Sequence, residues 1–124
     1  VLLVEDNELN SEIAKEIISM TGAQVETAEN GKMAVDYMLS RPAGYYDMIL
    51  MDIQMPVMNG YEATKAIRSI DDGRGCNIPI IAMTANAFAE DIIKAKKAGM
   101  NEHMAKPIDI NKLYEVLRHW LVND

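Results

Sequence analysis

Short apolar runs that alternate with longer segments of helical character constrain this chain more than any other feature. The runs are Val1 to Val4, Gln24 to Ala28, Met48 to Met51, Ile78 to Met83 and His103 to Ala105. After the first, Leu9, Ile13 and Ile17, with Ala14, Ile18 and Thr21 beside them, repeat at helical spacing until Gly22 stops the helix. Gly31 to Leu39, Tyr61 to Ile67 and Ala87 to Ala98 read as further helices. Leu113, Val116, Leu117, Trp120 and Leu121 make a last apolar stripe. Apolar strands separated by helix-length connections predict a parallel sheet covered on both faces, because parallel neighbours need crossovers. Right-handed crossovers leave a few doubly wound α/β arrangements.

The 124 residues suit one domain spanning 1–124. The chain starts without Met and already inside an apolar run, so we expect it to be a piece excised from a larger protein. Its net charge of -7 and its lack of clustered Lys and Arg argue against nucleic-acid binding and favour protein or cation partners. Cys76 is the only cysteine, which excludes an internal disulfide and a thiolate zinc site. A reducing, cytoplasmic setting fits, the parent being free to carry a membrane anchor of its own. No run approaches the roughly 18 apolar residues that span a bilayer, so no membrane contact is expected of this domain.

In a doubly wound sheet, ligands bind beyond the carboxyl ends of the strands. Glu5 and Asp6 follow the first run, Asp52 the third ("MILMDIQMP"), Thr84 the fourth ("IIAMTANA") and Lys106 the fifth ("HMAKPID"). Each alone has an ordinary reading: acids and threonines after strands cap helices, Asp6 suiting a helix that starts near Glu8, and a loop lysine is usually solvated. Caps do not explain complementary chemistry at four strand ends. Three carboxylates in close quarters repel, and one lysine does not neutralise them. Their oxygen ligands suit a hard cation, Mg²⁺ or Mn²⁺. Metal, carboxylate nucleophile, ammonium and hydroxyl together equip a site for phosphoryl transfer to Asp52. Pro56 and Gly60 bend the following loop, Gly60 through an unusual backbone angle, so that a main-chain carbonyl, that of Gln54, can face the metal. Pro107 makes a second rigid turn, compatible with a cis bond.

With these residues in place, the chain resembles the receiver domain of two-component response regulators, most of all the receivers of hybrid sensor histidine kinases. The resemblance rests on "LLVEDN", "DIQMPVMNGYEAT", "IIAMTANA" and "GMNEHMAKPID", in order and at the family's spacing. It implies a flavodoxin-like fold: a five-stranded parallel sheet in the order 2-1-3-4-5, with five helices. It implies an acid pair at Glu5 and Asp6, a phosphoacceptor at Asp52, a switch hydroxyl at Thr84 and a phosphate-pairing Lys106. The implied activity is Mg²⁺-dependent transfer from the phosphohistidine of a histidine kinase or a histidine phosphotransfer domain, then relay or conformational signalling and slow self-dephosphorylation. Such a domain catalyses its own phosphorylation and dephosphorylation, and its parent here would be a hybrid histidine kinase. The helix after the first strand and the loops around Asp52 would dock the phosphohistidine partner.

Two positions depart from the commoner pattern. The first acid is Glu5, one methylene longer than aspartate, which suits a water-mediated metal contact while Asp6 binds directly. His103 stands where many relatives carry an inward-turning aromatic switch residue, which puts such a switch in doubt; a half-exposed surface histidine explains it equally. Gln54 and Asn86 stand where such domains tune the lifetime of the phosphate, and neither is a base.

Other functions fit less well. A haloacid-dehalogenase-like phosphatase needs a second acid two residues after its nucleophile, where this chain has Gln54. A non-catalytic interaction module would not need every reactive group. A dinucleotide-binding domain needs glycines after the first strand, and "VEDNEL" has none. The methionines around Asp52 suit packing better than soft-metal binding. A weak dimer through the fourth helix, the fourth-to-fifth strand region and the fifth helix is compatible with the sequence, and nothing in "AFAEDIIKAKKAG" requires it. The loop from Asp71 to Asn77 is expected to be the most flexible stretch.

Overall fold

The computed structural model describes residues 1–85 and 89–121. Five strands and five helices alternate: β1 (Leu2–Val4), α1 (Glu8–Met20), β2 (Glu26–Ala28), α2 (Gly31–Ser40), β3 (Ile49–Asp52), α3 (Gly60–Arg68), β4 (Ile80–Thr84), α4 (Ala89–Ala98), β5 (Glu102–Ala105) and α5 (Ile110–Leu121). All strand pairs are parallel, and the order is β2-β1-β3-β4-β5. The expected doubly wound sheet is therefore the one observed. Strand limits differ from the apolar runs by a residue or two. β4 starts at Ile80 rather than Ile78 because Pro79 has no N–H for the ladder, while its carbonyl still accepts from Ile49 N at 2.9 Å.

Alternating strand residues feed two cores. Leu2, Val4, Ile49, Met51, Ile80 and Ala82 face α2, α3 and α4. Leu3, Leu50, Ile81, Met83 and Met104 face α1 and α5. Every side chain of β1, β3 and β4 is buried, so their near-continuous apolar character follows from coverage on both faces. No helix among the described residues is long and apolar enough to cross a membrane.

Three helices begin at asparagines. The side chains of Asn7, Asn30 and Asn59 accept from Asn10 N, Met33 N and Glu62 N, and Glu62 returns the bond to complete a capping box at α3. Capping of α1 therefore falls to Asn7 and leaves the Asp6 carboxylate at the rim.

Two sequence expectations about loops are corrected. Gly60 does not take an unusual angle; the positive φ lies at Val57, at 68°. Glycine is needed at 60 for space, since a Cβ there would come within 2.4 Å of the Asp52 carbonyl oxygen. Gly60 N instead donates to Ile53 O at 2.9 Å, folding α3 tightly back against the end of β3. The loop from Asp71 to Asn77, expected to be flexible, is tied down from both sides. Arg74 donates to the carbonyls of Met38, Leu39 and Arg41 at the end of α2, and Arg68 to those of Gly75, Cys76 and Ile78. The Lys106–Pro107 peptide bond is cis.

Candidate functional site

The parallel sheet brings its carboxyl ends to one rim. β1 hands the chain to Glu5 and Asp6, Asp52 ends β3, Thr84 ends β4, and Lys106 follows β5. Because β1 and β3 are neighbours, the acid pair and Asp52 meet, and Lys106 reaches across β4 to join them. Its Nζ lies 2.9 Å from Glu5 Oε2, 3.2 Å from Glu5 Oε1 and 3.0 Å from Asp52 Oδ2. One ammonium thus bridges two buried carboxylates, Glu5 at 4% and Asp52 at 3% exposure, while Asp6 is exposed. This direct contact between Glu5 and Lys106 was not expected from the sequence. The only signal for it is the extra methylene of glutamate.

Main-chain donors hold the acids in place: Asn7 N donates to Glu5 Oε1 at 3.2 Å and Gln54 N to Asp52 Oδ1 at 3.3 Å. Glu5 Oε2 is fully buried and accepts no well-directed hydrogen bond, although the ammonium stands 2.9 Å away. Glu5, Asp6 and Asp52 each offer a carboxylate oxygen, and these atoms all lie within 4.8 Å of one another. An all-oxygen set with a buried, under-satisfied member fits a hard divalent cation such as Mg²⁺.

Electrostatics point the same way. Three carboxylates face one ammonium, leaving two negative charges without a counterion at close range. Burial is the main influence on the Asp52 carboxyl and pushes it up to about 7; the Lys106 hydrogen bond opposes the rise and the neighbouring Glu5 charge adds to it. For Lys106, burial pulls the ammonium down, but its bonds to Glu5 and Asp52 outweigh that and hold it above the ordinary lysine range. A cation beside Asp52 would return its carboxyl to the ionised, nucleophilic form at neutral pH.

Two open cavities flank the cleft. One, of 420 Å³, is acidic, with Glu5, Asp6, Glu8, Glu12 and Glu29 in its wall. The other, of 390 Å³, lies between the β3–α3 loop and α4 and brings Gln54, Thr84, Asp91 and Lys94 together. Thr84 is 7% exposed and borders this second cavity. His103 is half-buried in β5; since Met104 faces α1 and α5, alternation turns His103 towards the α4 face. Asn86 lies outside the described residues.

The family pattern described as "Response regulator receiver domain" matches residues 1–118. Hybrid signal transduction histidine kinase I of Dictyostelium discoideum is 42% identical over 119 residues, covering 94% of this chain and 7% of the kinase. The chain thus spans a small part of the curated relatives it matches. The receiver domain of sensor histidine kinase PA1611 from Pseudomonas aeruginosa, solved with magnesium coordinated in its active-site cleft, is 38% identical with a TM-score of 0.87, covering 98% of this chain and 96% of that one. The receiver domain of Saccharomyces cerevisiae Ssk1, solved in complex with the histidine phosphotransfer protein Ypd1, is 31% identical with a TM-score of 0.87, covering 96% of this chain and 86% of that one. By sequence pattern over nearly its whole length and by a fold shared with such domains, the chain belongs to the response regulator receiver domain family.

Proposed function

We propose that this domain, as one part of a longer cytoplasmic-facing signalling protein, takes a phosphoryl group onto Asp52 from the phosphohistidine of a histidine kinase or histidine phosphotransfer partner. The observation that carries this reading is the placement of Asp52: buried, beside the acid pair, and bonded to Lys106, whose ammonium bridges it to Glu5. Glu5, Asp6 and Asp52, with the Gln54 carbonyl, are the candidate ligands of Mg²⁺. The metal, when bound, neutralises charge on the carboxylates and on the incoming phosphoryl oxygens.

In the transfer, a carboxylate oxygen of Asp52 forms a bond to phosphorus as the bond from phosphorus to the imidazole nitrogen breaks. The electron pair leaves with the nitrogen, and the imidazole departs as a neutral ring because its other nitrogen carries a proton. Lys106 holds its charge beside the acceptor oxygen and, through Glu5, stays over the rim as the phosphoryl group arrives. The Gln54 N–H keeps the other Asp52 oxygen in place. Thr84 is the hydroxyl positioned to meet the new phosphate and report it to β4 and α4, with His103 as the neighbouring switch position. Hydrolysis of the acyl phosphate is slow because neither Gln54 nor Asn86 is a base, and both tune access of water.

Incubation with acetyl phosphate and Mg²⁺ followed by intact-mass measurement tests the reading. We expect one phosphoryl adduct, labile to hydroxylamine and dependent on the metal; no adduct on a folded wild type overturns it. Lys106→Ala separates the two roles of charge. It retains Mg²⁺ binding by calorimetry but is phosphorylated about 10²-fold more slowly, the scale of losing one preorganised stabiliser of transition-state charge.

A further inference from the structure

The two cavities that flank the cleft differ in charge. Among the described residues, the charged groups in the wall beside α1 are all carboxylates, whereas the cavity between the β3–α3 loop and α4 holds an ammonium, that of Lys94. Lys94 stands in the second turn of α4, and its Nζ lies over the Tyr61 ring, 6.0 Å from the centroid, the outer reach of a cation–π contact. Tyr61 is half-buried at the start of α3, and its hydroxyl donates to Asp91 O in the first turn of α4 at 3.4 Å. The ring is thus held against α4 and keeps the ammonium at the cavity that Gln54 and Thr84 also line. Lys94 makes no ion pair among the described residues, while Lys96 and Lys97, which follow it on α4, do not line the cavity. A second cation therefore stands near the acceptor, and unlike Lys106 it is not already shared between two carboxylates.

Such a cation matters for one class of donor. Phosphohistidine releases a neutral imidazole, and phosphoramidate, protonated on nitrogen, releases neutral ammonia. An acyl phosphate differs. As a carboxylate oxygen of Asp52 bonds to phosphorus, the bond from phosphorus to the acyl oxygen breaks, the electron pair stays on that oxygen, and a carboxylate leaves without any proton moving. Phosphoryl transfer proceeds in line through a loose transition state, so negative charge grows on the leaving oxygen on the side of phosphorus away from Asp52. That side is the open part of the cleft between the two cavities. Towards α1 the leaving carboxylate meets Glu8 and Glu12, which repel it; towards α4 it meets Lys94. A cation placed where charge develops lowers the barrier for this donor and not for one whose leaving group is neutral.

We propose that Lys94 is a specificity-determining residue for small acyl phosphate donors, pairing with the carboxylate that leaves as Asp52 is phosphorylated. The inference rests on the phosphoacceptor reading of Asp52.

The test measures rates of adduct formation by intact mass, with acetyl phosphate and with phosphoramidate, in the presence of Mg²⁺, for wild type, Lys94→Gln, Lys94→Arg and Lys97→Gln. Lys94→Gln loses about three- to fivefold with acetyl phosphate, the scale of one solvent-exposed ion pair, and stays within about 1.5-fold of wild type with phosphoramidate. Lys94→Arg keeps the charge and stays within about twofold of wild type with acetyl phosphate. Lys97→Gln removes the same charge from the same helix outside the cavity, so at about 0.15 M salt it changes neither rate by more than about 1.5-fold. No loss in Lys94→Gln, equal loss with both donors, an equal loss in Lys97→Gln, or a Lys94→Arg protein as slow as Lys94→Gln each overturns the proposal. A wild type inert to acetyl phosphate overturns the phosphoacceptor reading itself, which is a separate result.

Discussion

Asp52→Asn gains no phosphoryl group from acetyl phosphate and Mg²⁺, yet in metal-free buffer at about pH 8 it resists urea better than the wild type, by roughly 1–3 kcal/mol. The two effects share one cause. A carboxylate held between the acid pair and Lys106 is the nucleophile because it is placed where charge converges, and the same placement makes its ionised form costly without a cation. With its carboxyl pushed up to about 7 from 3.8, Asp52 binds a proton more tightly in the folded than in the unfolded state. Below about pH 4 both states are protonated and Asp52 contributes nothing; between about pH 4 and 7 the unfolded state ionises first, and folding stability falls as pH rises. The full cost, about 4 kcal/mol for roughly three pH units, applies above that window.

Asparagine removes the charge and keeps an oxygen for the Gln54 N–H, but Lys106 loses one of its two carboxylate partners, which offsets part of the gain. Near pH 4 the two proteins should therefore differ little. Mg²⁺ should reverse the order at pH 8, since wild type gains binding free energy in proportion to the logarithm of metal concentration and Asp52→Asn, with one ligand fewer, gains less. Urea midpoints across pH, with EDTA and with Mg²⁺, check this. An Asp52→Asn protein no more stable than wild type at pH 8 without metal would falsify the account of the site as an acid cluster awaiting a cation.

What could be read in the chain before folding was set by interactions of short period. Alternating apolar runs and helical stripes report burial along one element, so β1, β3 and β4 were legible to within a residue or two. The doubly wound arrangement then placed Glu5, Asp52, Thr84 and Lys106 on one rim without any contact being known. Contacts between distant loops leave no such trace. Glu5 and Lys106 are 101 positions apart, and only the folded chain brings the longer acid to the ammonium. Backbone angles are equally silent: the visible glycine at 60 drew the expected bend to itself, while the sterically unsuited Val57 carries it. Arg68 is the extreme case, because an arginine at the end of an amphipathic helix ordinarily reads as a solvated charge complementing the helix dipole.

Arg68→Ala should cost about 3–5 kcal/mol of folding stability while leaving the acid rim intact. The guanidinium, at the end of α3, lies against the loops that enter β4 and β5, at the amino ends of these strands and so at the end of the sheet opposite Asp52. Its Nη1 donates to Gly75 O at 2.8 Å and Ile78 O at 2.7 Å, and its Nε and Nη2 to Gly99 O at 3.0 and 2.7 Å. Nη2 also reaches Asn101 Oδ1 at 2.8 Å, the atom that accepts from Ile80 N at the start of β4. One side chain thereby fixes the α3–β4 loop, the α4–β5 loop and the first pair of the β4 ladder. Removing it leaves several part-buried carbonyls without a donor, and each such loss costs about 1–3 kcal/mol before the loops relax towards water. Arg68→Lys retains the charge but not the planar fork, so it should recover less than half of the loss. Urea midpoints measure both variants. At a temperature where Arg68→Ala is still folded, its phosphorylation by acetyl phosphate should match wild type within about twofold, because the site stands at the far ends of the same strands.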